Sequence, residues 1–134
     1  MKKLLFVLPI FLIIFQSCKQ SIDINDLKIS NTELKVTFWI KNSSGLESIA
    51  STKILNKSKE LENLTNWLIN NSNGWDNSIN SYSSPKISLT NENFKFLIFT
   101  DFVVIGYLDK NNKPRQLTKK VNLSEFEFLN DMKK

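Results

Sequence analysis

The chain has 134 residues, 18 of them basic and 13 acidic, with no histidine and a single cysteine. That length suits one domain. Lacking histidine, it has neither the commonest general base nor the commonest metal ligand, and one cysteine allows no internal disulfide. The basic residues are scattered lysines with Arg115 as the sole arginine, unlike the clustered, arginine-forked surface of a nucleic-acid reader.

In chain order, Met1-Lys2-Lys3 makes a short positive start, Leu4 to Phe15 is an apolar run broken only by Pro9, and Ser17-Cys18 closes the segment. A positive start, an apolar stretch and a small residue form an export signal. About a dozen apolar residues are too few to span a bilayer, which takes roughly 20. With Ser17 before Cys18, the segment resembles the signal peptide of bacterial lipoproteins. The resemblance covers residues 1–18 and implies cleavage before Cys18, lipid on its thiol and usually acylation of the new amino group. It also implies a place in the bacterial cell envelope, with the membrane as partner. Lys19 is not the aspartate that commonly signals inner-membrane retention, so the outer membrane is favoured. Removal of residues 1–17 leaves 117 residues with 16 basic and 13 acidic side chains, a net charge of +3.

Residues 18–33 are polar apart from Ile22, Ile24, Leu27 and Ile29 and are expected to form a lipidated tether or edge strand, with a single domain over 34–134. "LKVTFWI" (34–40) is β-branched and aromatic and reads as a strand. Its alternation assigns Leu34, Val36, Phe38 and Ile40 to the buried face. A turn follows at 42–45, then a weaker strand at 48–55. Residues 58–71 give the best helix. Leu61, Leu64, Trp67 and Leu68 make one apolar stripe, Ser58 can cap the start, and Asn73-Gly74 supplies a stop. Residues 75–85 read as a loop. Strands are expected at 86–89, 93–99, 102–109 and 115–121, with a hairpin loop at 109–114. Asn122 with Glu125 three residues on makes a variant capping box and predicts a short C-terminal helix. The order argues for an α+β fold: a mainly antiparallel sheet of five to six strands with the helix on one face.

No cofactor or metal site is expected, and Gly45, Gly74 and Gly106 are too far apart for a phosphate loop. Three features invite a function. Asp101 lies within the apolar run "IFTDFVV", as either a turn residue or a carboxylate facing a pocket. Trp75 and Tyr82 share a long loop, either as exposed aromatics that would anchor a partner or with Trp75 folded back over the helix end. Lys110, Lys113, Arg115, Lys119 and Lys120 suit an anionic surface or a solvated hairpin.

The expectation is a membrane-anchored envelope lipoprotein that is not an enzyme. It would act as a small protein-binding module, such as an inhibitor or immunity protein, through Trp75 and Tyr82 or an exposed sheet edge. The alternatives are a carboxylate-dependent envelope hydrolase using Asp101, and a carrier with a small ligand between helix and sheet.

Overall fold

In the computed structural model, residues 18–29 and 32–133 are described. The apolar segment 1–17 lies outside them. The elements run α1 (Ile24–Leu27), β1 (Leu34–Lys41), β2 (Glu47–Leu55), α2 (Lys59–Asn70), β3 (Asp76–Asn77), β4 (Ile87–Thr90), β5 (Phe94–Ile98), β6 (Phe102–Leu108), β7 (Pro114–Lys120) and a 3-10 helix (Leu123–Lys133). The strands form one antiparallel sheet in the order β2-β1-β4-β5-β6-β7-β3. The fold is α+β, with seven strands rather than five or six. The extra strand is β3, two residues that pair with Thr118 and Leu117 inside the segment expected to be a loop.

Each face of the sheet follows the period of two. Leu34, Val36, Phe38, Leu55, Ile87, Leu89, Phe96, Ile98, Val103, Ile105 and Leu117 point to the face covered by α2 and the 3-10 helix. The α2 stripe of Leu61, Leu64, Trp67 and Leu68 is buried against them. Full burial of such side chains contributes about 1.5–3 kcal/mol each, which is what holds a 12-residue helix that would be marginal alone. The Ser58 side chain accepts from Leu61 N–H at 3.3 Å and starts the helix. Gly74, at φ +82°, turns the chain out after it. The opposite face buries a smaller cluster of Leu97, Phe99 and Val104 beneath Tyr82 and Phe102.

Two expectations about the N-terminal half are corrected. Within the segment expected to be a tether or edge strand, the described residues 18–29 are neither a free tether nor a regular strand. Asp23 accepts from Asn25 N–H at 3.0 Å and caps the one-turn α1, Lys28 ends it in the left-handed region, and Ile22, Leu27 and Ile29 are buried in the main core. Ile40 is exposed rather than buried. The register of β1 on β2 steps from Phe38–Ser51 to Trp39–Ile49, so Ala50 is an extra residue. Such a bulge twists and bends the pair, and the far end of the hairpin leaves the core.

The C-terminal segment ends in a 3-10 helix. Glu125 Oε1 accepts from Asn122 N–H at 2.8 Å and Asn122 Oδ1 accepts from Ser124 N–H at 3.0 Å, completing the expected box. Glu125 Oε2 also accepts from the Trp67 indole N–H at 2.9 Å, tying this helix to α2.

Candidate functional site

The sequence-derived candidates do not come together. Trp75 is wholly buried. Its indole N–H donates to Asn71 O at 2.6 Å, its ring meets Trp67 edge-on at 6.3 Å, and Lys119 Nζ sits 5.7 Å from the ring centroid. It therefore seals the end of α2 and offers no exposed aromatic. Tyr82 lies on the other face of the sheet. It packs on Phe99 and Phe102 at 5.9 and 5.7 Å, and its hydroxyl bonds to Ser78 Oγ. Asp101 occupies the exposed turn between β5 and β6, where its carbonyl accepts from Val121 N–H at 3.1 Å. The turn explains a carboxylate inside an apolar run, because the side chain stays in water.

The basic residues of β7 are divided by the pleat. Arg115 and Lys119 point to the helix-covered face and Lys120 to the other, while Lys110 and Lys113 lie on the exposed hairpin loop. Lys119 Nζ donates to Asn73 O at 2.6 Å. Burial lowers its pKa below the usual lysine value, with Glu125 opposing and Lys19 reinforcing the shift. Burial likewise raises the Tyr107 pKa, with Arg115 opposing. No group of three metal-ligating side chains gathers among the described residues. The space between α2 and the sheet is filled by Leu64, Trp67, Trp75, Phe96 and Phe126. An open hollow of about 420 Å³ lies elsewhere, bordered by Lys95, Gly106, Arg115 and Gln116.

What remains is the contrast between the two edges of the sheet. At one edge the chain is tied down. Gln20 exchanges backbone hydrogen bonds with Trp75, next to β3, at 2.7 and 3.1 Å. Lys19 Nζ reaches both Asp76 carboxylate oxygens at 2.7 Å, and Arg115 Nη2 donates to Gln20 Oε1 at 3.2 Å. Cys18, immediately upstream, is exposed. The other edge is β2, nine residues long and paired on β1 alone. One row of its backbone N–H and C=O groups faces outward, the arrangement that accepts an added strand. Around it Ile40, Leu46, Ile49 and Ile54 are each more than half exposed. Ile49 and Ile54 lie on the face that carries Trp39 and Lys35, opposite which they pair. The bulge at Ala50 and the charge of Lys53 guard this edge against indiscriminate pairing. Between the edges lie six strand spacings, about 29 Å at 4.8 Å each.

The sequence signal for β2 was weak: a polar, β-branched stretch with few large apolar residues. An edge strand has that composition because one of its sides meets water. Compared with models of known families, with curated proteins and with solved structures, the chain matches none.

Proposed function

We propose that this chain is a bacterial envelope lipoprotein, held to a membrane by lipid on Cys18, and that it works as a small protein-binding module through β2. An extended segment of the partner would add to the β2 edge and bury the neighbouring isoleucines. Blocking an envelope enzyme or toxin, as an inhibitor or immunity protein does, is the concrete form of that role. The observation that carries the reading is the nine-residue open edge with its exposed aliphatic side chains, on the side of the sheet away from Cys18. Anchoring supports it through effective concentration, since two components confined to one membrane associate at modest intrinsic affinity.

The test uses the full chain, extracted in detergent from its host envelope, beside Ile49→Lys and Ile54→Lys. A stoichiometric partner should be retained by the wild type and lost with both variants while their far-ultraviolet circular dichroism is unchanged. Amide exchange along 47–55 should slow when that partner is bound. Equal retention by the edge variants would refute β2 as the recognition element. In the same preparation, Cys18→Ser should leave the membrane fraction and lose the lipid mass.

A further inference from the structure

The edge opposite β2 has a use of its own. Gln20 pairs antiparallel with Trp75, and the Lys19–Asp76 ion pair follows the same register. Continued by two residues, that antiparallel register sets Cys18 opposite Asn77. Ile22 N–H donates to Ser72 O at 2.7 Å, so the docked segment is fixed at two points. From Gln20, the first residue with paired backbone, to Cys18 is two residues, at most about 7 Å of chain. A lipid on Cys18 therefore has no flexible linker behind it. A long flexible linker would let the domain take many orientations, whereas this one holds lipid within reach of the edge itself.

Ile79 stands on that edge and is 99 % exposed. Its exposure belongs to a pinned backbone. Ser78 N–H donates to Gln116 O at 3.0 Å on one side of it, and Asn80 O accepts from Gln116 Nε2 at 2.7 Å on the other. Residues 77–85, "NSINSYSSP", carry no charge, so bringing them to an interface removes no ion from water. The nearby charges Lys19 and Asp76 are already paired. A large aliphatic side chain held out on the uncharged stretch that follows β3 suits the headgroup–acyl boundary of a bilayer, where amphipathic surfaces bury their apolar side.

We infer that the edge made by residues 18–22 and β3 lies on the lipid surface with Ile79 inserted into it, so that the sheet stands away from the membrane and presents β2 outward. This rests on the anchored reading above and adds an orientation to it. The occupant of the edge is lipid. A second copy or another protein there would be a different result of the same experiment.

The experiment places an environment-sensitive fluorophore on the full lipidated chain at Ile79→Cys, and in a second sample at Ile49→Cys. Cys18 carries lipid in both, leaving one free thiol for labelling. The protein is reconstituted into phosphatidylethanolamine–phosphatidylglycerol vesicles that contain a spin-labelled lipid, and aqueous iodide is the opposing quencher. The probe at 79 should be quenched several-fold more by the spin-labelled lipid than the probe at 49, and iodide should give the reverse order. If the protein floats with the vesicles but iodide quenches both probes alike, the orientation is overturned and the anchor stands. Protection of position 79 from both quenchers means a protein covers the edge, and this also overturns the proposal. A chain that carries no lipid and does not float with the vesicles overturns the anchor and the orientation together.

Discussion

Replacement of Trp75 by alanine should strongly destabilise the domain rather than remove a binding contact. The side chain is wholly buried, at the meeting of α2, β3 and the docked N-terminal segment. Removing a buried Trp or Phe side chain to Ala costs about 3–5 kcal/mol. The 2.6 Å indole bond leaves Asn71 O without that donor, a further ~1 kcal/mol. Lys119 loses the ring beneath its ammonium, worth about 0.5–1 kcal/mol when partly exposed. These contributions overlap, so the expected total is about 4–5 kcal/mol, against the ~5–15 kcal/mol that holds a typical domain. With a urea slope of about 2 kcal/mol/M, the unfolding midpoint should fall by roughly 2 M. Tyr82→Ala, at a half-buried site in the smaller cluster, should fall by less than half as much. Urea titration of detergent-solubilised protein, followed by circular dichroism, reads both shifts. A Trp75→Ala shift below about 0.5 M would refute the placement of Trp75 in the core.

Gly74→Ala should cost about 1 kcal/mol in the same titration, because its φ of +82° is a conformation that a side chain resists. Glu125→Ala should cost about 2–3 kcal/mol, since one carboxylate accepts from both the Trp67 indole and Asn122 N–H. Glu125→Gln, which keeps one acceptor oxygen, should recover part of that loss. Asp109 has its pKa lowered from 3.8, chiefly by accepting from Lys113 N–H and also from Asn111 N–H. A carboxylate with a depressed folded pKa adds stability above its unfolded pKa and loses it as pH falls through the folded value. The wild type should therefore weaken relative to Asp109→Asn below about pH 3.8, and stability curves of the two that stay parallel to lower pH would count against the hairpin geometry.

Much of the fold could be read from local chemistry. Ser58 with the stripe from Leu61 to Leu68, the alternation of 34–38, the turn residues at 109–114 and the Asn122–Glu125 pair each name an element within a few residues. What escaped depends on partners distant in sequence. β3 exists because Leu117 and Thr118 offer a strand to Asp76 and Asn77, which carry no strand signal themselves. Ile40 looked buried because alternation continues past Phe38, but a bulge centred on the neighbouring strand's Ala50 ends the rule there. Residues 18–33 looked like a tether because their apolar residues are sparse. The burial of Ile22, Leu27 and Ile29 comes from core partners distant in sequence. For the site, the sequence drew attention to aromatic residues. Trp75 follows Gly74 directly, and a tryptophan just past a helix stop is well placed to fold back over the helix end, which is where it lies.

The pairing of Gln20 with Trp75 also determines how the domain would respond to tension. A pull between a partner on β2 and an anchor on Cys18 runs across the strands rather than along them, so hydrogen bonds open one row at a time instead of sharing the load. The outermost row has the two Gln20–Trp75 bonds and the Ile22–Ser72 bond, reinforced by an exposed ion pair and by Arg115 on Gln20, and it would open first. Peeling back to the buried Ile22 releases about four residues, on the order of 14 Å of chain. Force applied at Cys18 should therefore produce a short, reversible lengthening before the sheet fails, measurable by single-molecule pulling. If Cys18 is anchored as proposed, the same few residues would serve as a mechanical latch, letting the domain out under strain while the core and the β2 edge stay folded.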